Sequence, residues 1–275
     1  MCEYCVKHGA GKKWFENARN FSRDLYNEQY IQEFVESYFS KPIEDAIKAF
    51  SERKKALNDP ISLGNMKNQL EGRYTGFLHH QIVTIEELAD IYRLANILTD
   101  EKPAVARFDC ICRRLAGQDD PEKHCYGIAF TSDILRRFPT YLGGVEFLDA
   151  ELAIESIRQM SDQEPVVHTI LCLGVPYIGL NCNCTMPVCT PYWYRTSAYK
   201  VKQAFYKSES LCIVNAEQCG GCGTCHELCP FGVPEMCNER AYISSAKCWG
   251  CGICQKNCPE GAIYFKERGN DMMLF

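Results

Sequence analysis

Long apolar runs are missing from this 275-residue chain. The most apolar stretch, Val166 to Leu180, is too short to span a bilayer and is interrupted by His168, Gly174 and Pro176, so no membrane span is expected. No secretory leader is expected either. The opening MCEYCVKHGAGKKWF has neither an apolar h-region nor a small-residue cleavage site. No phosphate-cradling loop, no G-x-G-x-x-G after a strand pattern and no G-x-S-x-G is found, so nucleotide-dependent chemistry has no support. Excess positive charge is absent too: a net charge of −5 argues against nucleic acid and for a basic patch on a partner.

Cysteine, by contrast, is abundant, at 19 residues. Such a count fits either a secreted disulfide framework or a reduced, metal-binding protein, and the two need opposite redox compartments. With no leader, an odd count and a length above that of disulfide scaffolds, metal ligation in a reducing cytoplasm is the better expectation. Otherwise the composition, 46% hydrophobic and 24% charged, is that of an ordinary globular protein, long enough for two domains.

Two segments carry the chemistry. Cys219, Cys222, Cys225 and Cys229-Pro230 form one C-x2-C-x2-C-x3-C-P run; Cys248, Cys251, Cys254 and Cys258-Pro259 form another, 29 residues later. Three thiolates at this spacing wrap a loop around one iron–sulfur cube, and the fourth, opening a helical turn, reaches a second cube. Zinc knuckles instead pair two C-x2-C units across a longer gap. Residues 211–266 resemble the bacterial two-cluster ferredoxin, with Leu211–Val214 and Ala262–Phe265 placed as its edge strands. The resemblance implies two [4Fe–4S] clusters, one on Cys219, Cys222, Cys225 and Cys258, the other on Cys248, Cys251, Cys254 and Cys229. The stretch Pro230–Lys247 is long for that family and holds Cys237; it and Cys212 read first as spare packed thiols.

Upstream, Ser22 is positioned to cap a helix running to about Ser40, and Pro42 to open a second reaching Leu57, where Asn58-Asp59-Pro60 ends it. From residue 61 the pattern is mixed. Thr84 and Glu87 form a capping box before a helical face of Leu88, Ile91, Tyr92 and Ala95; Ala104–Arg113 reads as a strand, Asp149–Met160 as a helix and Val166–Leu173 as a strand. The expected fold class is α+β: a helical N-terminal segment (1–60), a small α/β middle domain (61–205) and a C-terminal two-cluster ferredoxin-like domain (206–275).

The middle region has its own cysteines. Cys110 and Cys112, two apart on a strand, would share a face, and Cys182 and Cys184 repeat that spacing. Two such pairs side by side supply four thiolates, enough for a third [4Fe–4S] cluster, with Cys125, Cys189 or Cys172 as alternates and Arg113 and Arg114 near enough to offset its charge. A zinc knuckle or plain buried thiols are the competing readings. The arrangement loosely resembles iron–sulfur proteins of anaerobes that place C-x-C-R and C-N-C segments ahead of a ferredoxin tail. At the opening, Cys2, Cys5 and His8 offer three further metal ligands. His168 reads as a satisfied core histidine, and the aromatic residues from Tyr192 to Tyr206 as core packing.

Two functions suit this set. One is low-potential electron transfer, as a carrier or subunit serving a redox partner protein. The other is an iron–sulfur oxidoreductase whose middle domain binds a substrate or further cofactor and is fed by the ferredoxin domain.

Overall fold

A computed structural model describes residues 13–100, 102–118, 123–129, 131–138, 144–186 and 188–269; the expected ligands Cys2, Cys5 and His8 lie outside them. Ser22 caps a helix as expected, its side chain accepting from the Leu25 amide, but the single helix to Ser40 is two, α1 (Arg23–Tyr26) and α2 (Gln29–Phe39). The break at Asn27–Glu28 turns Leu25 and Tyr26, then Ile31, Phe34 and Val35, into one core. Pro42 precedes α3 (Ile43–Ala56), and Asp59 then caps α4 (Pro60–Gly76) through the Ser62 amide, so the helical layer continues past residue 60.

β1 (His80–Ile82) leads to the Thr84–Glu87 capping box and α5 (Ile85–Leu98). β2 (Val105–Phe108) is shorter than the strand expected to reach Arg113, because the chain leaves the sheet and Cys110 opens α6 (Ile111–Leu115). β3 (Cys125–Ile128), α7 (Thr131–Arg137) and β4 (Glu146–Leu148) follow, then α8 (Ala150–Gln163), capped by Asp149. β5 (Val167–Cys172), β6 (Ile178–Cys184) and α9 (Thr190–Thr196) complete the middle of the chain.

The six strands pair antiparallel throughout in the order β1-β5-β6-β3-β2-β4, which makes the architecture α+β. Because residues alternate along a strand, β6 sends Asn181 and Asn183 to one face and Cys182 and Cys184 to the other. The asparagine face packs on α5 and α8: Tyr92 Oη donates to Asn181 Oδ1 at 2.7 Å, and His168 is held between Ser161 Oγ (2.7 Å) and Asn183 Oδ1 (2.6 Å). The thiol face turns towards α3, α4 and α9, and one core runs from Trp14 to Ala204.

Beyond it, β7 (Ser210–Val214) pairs antiparallel with β10 (Ile263–Glu267), as the two expected edge strands. Between them lie α10 (Thr224–Leu228), the hairpin of β8 (Pro234–Cys237) and β9 (Arg240–Ile243), and α11 (Ile253–Lys256). Among the described residues no helix is long and apolar enough to cross a membrane.

Candidate metal centres

The 29-residue repeat in the C-terminal sequence is also a repeat of backbone geometry. Gly221 and Gly250 both have φ 74°, and Gly223 and Gly252 both have φ 80°. These turns admit no side chain: a Cβ on Gly221 would stand 2.1 Å from the Glu239 carbonyl oxygen, and one on Gly250 2.0 Å from that of Ser210. The amides aimed at sulfur repeat as well. Ala241 N donates to Cys219 Sγ and Cys212 N to Cys248 Sγ, each at 3.4 Å, and Ala262 N donates to Cys258 Sγ at 3.3 Å. Such donors favour the thiolate form and stabilise added electron density on sulfur.

Cys219, Cys222, Cys225 and Cys258 line one small cavity, with Pro259 and Ala262 beside them. Cys229 lies within electrostatic reach of Cys248 and Cys254, and Cys251 within reach of Cys254, Cys229 and Cys248. The last cysteine of each run thus stands with the first three of the other. Cys248 is held down at about 6, first by a hydrogen bond from the Cys212 thiol, with the Arg268 guanidinium also contributing, against burial. Cys212, buried on β7, takes the place that Ala241 has in the other half, whereas Cys237 is exposed at the end of β8.

Arg268 gave no signal in the sequence. It is 1% exposed and donates to the carbonyls of Ser208 (2.8 Å), Ser210 (3.2 Å) and Cys248 (2.9 Å), a buried cation beside the second run.

In the middle of the chain six thiols meet. The premise that Cys110 and Cys112 share a strand face is corrected: Cys110 precedes α6 and Cys112 lies in its first turn. Their thiols are nevertheless adjacent. Cys125 and Cys182 face each other across β3 and β6, and Cys184 follows on the same side. Cys189 opens α9, whose Thr190 amide donates to Cys112 Sγ at 3.4 Å. Thiol-to-thiol contacts run Cys182–Cys125–Cys110–Cys112–Cys189–Cys184. Cys172, the third alternate, lies three residues beyond Thr169, the β5 partner of Cys182, about 10 Å further along the strand.

The ring cannot ionise uniformly. Cys112 is pulled well down by hydrogen bonds from Cys110, Cys189 and Thr190, and Cys184 to about 6 by the Cys189 thiol, with His80 adding. Cys110 is pushed well up by its hydrogen bonds with Cys112 and Cys125, and Cys189 first by burial. For Cys182 the Cys125 hydrogen bond pulls down, but burial and neighbouring thiolates carry it to about 11. Buried thiols in this condition are matched to cations, which displace the protons and cancel the repulsion. Arg113 and Arg114, expected to offset charge there, have partners of their own. Arg113 bonds Thr185 Oγ1 at 3.0 Å and faces Glu164 at 3.9 Å, while Arg114 pairs with Asp109.

Among the described residues, no three His, Cys, Asp or Glu side chains are placed to hold a single metal ion. A four-iron cluster differs in giving each thiolate an iron of its own.

The ring and the C-terminal repeat share a packed layer. Cys184, Cys189 and Ile253 lie in one buried cluster, with Tyr192, Trp249 and Cys251 packed against it. Trp249 stacks on Phe231 with ring centroids 4.8 Å apart and meets Tyr192 at 5.8 Å, and Arg195 lies over its ring at 4.9 Å. Cys189 stood among the alternates, and His80 was not foreseen as a neighbour of these thiols. A signal existed for the first: Cys189-Thr190-Pro191 is a helix start, with proline in the first turn.

Residues 207–235 and 241–264 match the 4Fe–4S binding domain family, the gap between the two segments falling at the β8–β9 turn. The C-terminal part of the chain is therefore a 4Fe–4S binding domain in two segments, of the kind that forms a two-cluster ferredoxin. Among curated proteins none matches the chain.

Proposed function

We propose that the protein is a low-potential electron carrier or electron-transfer subunit with three [4Fe–4S] clusters. In this reading residues 206–275 hold two clusters with crossed ligation, one on Cys219, Cys222, Cys225 and Cys258, the other on Cys248, Cys251, Cys254 and Cys229. Residues 61–205 hold the third on four of the six ring thiols, Cys110, Cys112, Cys182 and Cys184 first. The helices of residues 1–60 close that site, and a redox partner protein in a reducing cytoplasm exchanges electrons with the chain. Each cluster supplies one-electron chemistry, and the protein sets its potential through burial, charge and amide–sulfur hydrogen bonds.

The observation that carries the proposal is the shared layer in which Cys184 and Cys189 pack with Trp249 and Cys251, a dry, aromatic contact between the two cysteine groups. Anaerobic coulometric reduction of the loaded full chain tests it. About three electrons per chain are expected, one per four-iron cluster. Two would remove the third centre, and none would remove electron transfer. The oxidoreductase reading is favoured by one observation, a cavity of about 430 Å³ beside the thiol ring.

A further inference from the structure

That cavity is walled on one side by Cys112, Cys125 and Cys182 and on the other by residues of α2, α3 and α4. Its size is that of a site for a small organic molecule. Much of the lining is aliphatic, with Leu70, Leu78, Leu171 and Leu180 among it, while its charged residues are Lys41, Arg53, Arg73 and a single carboxylate, Asp45. Among the described residues neither Arg53 nor Arg73 joins an ion pair; Arg53 donates to Tyr194 Oη at 3.0 Å, and Arg73 lies over the Phe34 and Tyr38 rings.

Two buried polar atoms in the lining have no nitrogen or oxygen partner, His80 Nδ1 and Thr190 Oγ1, in side chains 1% and 6% exposed. Each stands against a thiol of the ring, His80 by Cys184 and Thr190 by Cys112, so both mark where the cavity meets the ring.

We propose that this cavity binds a small organic carboxylate with an apolar body. The carboxylate lies at Arg53 and Arg73, the body lies among the leucines, and the far end reaches Thr190, His80 and the thiol ring. Guanidinium groups favour a planar carboxylate over other anions of this size, and among the described residues no carboxylate pairs with either arginine. The inference rests on the third-cluster reading only for what the far end of the ligand touches.

The test uses the anaerobically loaded full chain, titrated calorimetrically with 3-phenylpropionate and with its uncharged amide, 3-phenylpropanamide. One saturable site for the carboxylate is expected, with the amide weaker by about tenfold or more, the loss of a charge-assisted hydrogen bond. Arg73→Gln should weaken carboxylate binding by a similar factor; if that variant loses iron, Arg53→Gln replaces it. Ala49→Trp fills the cavity from α3 without touching a thiol and should abolish binding at unchanged iron content. No saturable binding of the carboxylate, equal binding of the amide, or retained binding in Ala49→Trp would overturn the site. Iron is counted on the same samples. Eight irons with carboxylate binding intact would support the pocket while removing the third cluster.

Discussion

His168 shows at the residue scale how burial sets chemistry here. Its ring is pushed down to about 4, first by burial, with the Asn183 hydrogen bond opposing and Lys256 adding. The folded value lies below the ordinary 6.5, so the unfolded chain binds the extra proton between these two values, and stability falls as pH drops through that window. Between pH 7 and pH 5 this one group should cost about 2 kcal/mol. Urea unfolding at the two pH values measures it, and His168→Gln should lose that increment; an unchanged pH dependence would place the proton elsewhere. Arg268 acts on potential instead. As the buried cation beside Cys248, it stabilises added negative charge there. In a potentiometric EPR titration Arg268→Gln should therefore move one four-iron signal to lower potential and leave the others in place. The histidine was legible in the sequence as a satisfied core residue. The arginine was not, because nothing in Lys266-Glu267-Arg268 announces that its guanidinium turns inward to three carbonyls.

The proposed crossed ligation belongs to the scale of elements. Cys258 precedes the turn into β10 yet lines the cavity of Cys219, Cys222 and Cys225, because the two half-repeats fold over one another through the β7–β10 pair. Cys258→Ala should accordingly damage the cluster of that cavity. Of the two surviving signals one should still shift when Arg268 is replaced, which identifies it as the one beside Cys248; loss of the Arg268-sensitive signal would show ligation within each run instead. Although the β8–β9 hairpin between the C-terminal runs was not legible, the two edge strands were, to within two residues, since cysteine spacing and strand pattern repeat together. The middle elements were less so. Cap signals at Ser22 and Thr84 located helix starts, because capping is local chemistry. The strand through Cys110 was misread because an apolar run of Phe108, Cys110, Ile111 and Cys112 suits a short helix as well as a strand, and only the sheet's edge at Phe108 decides between them.

For the whole molecule, the decisive arrangement is the convergence of cysteines distant in the chain. Cys110 comes from just before α6 and Cys112 from its first turn, Cys125 from β3, Cys182 and Cys184 from β6, and Cys189 from the start of α9. Pairing of the two C-x-C segments was legible, because equal spacing suggested equal use. The enlargement from four thiols to six was not, since it depends on the register Cys125↔Cys182 and on where α9 docks. The packing of Trp249 and Tyr192 between the two cysteine groups also depends on tertiary contact alone. The central claim is that both groups hold clusters in one electron-transfer chain, and anaerobic iron and sulfide analysis of the loaded full-length protein, beside its Cys110→Ala/Cys112→Ala variant, tests it most directly. Four-iron stoichiometry predicts about twelve irons in the parent and about eight in the variant. Eight in both would contradict a third cluster and leave the ring as buried thiols.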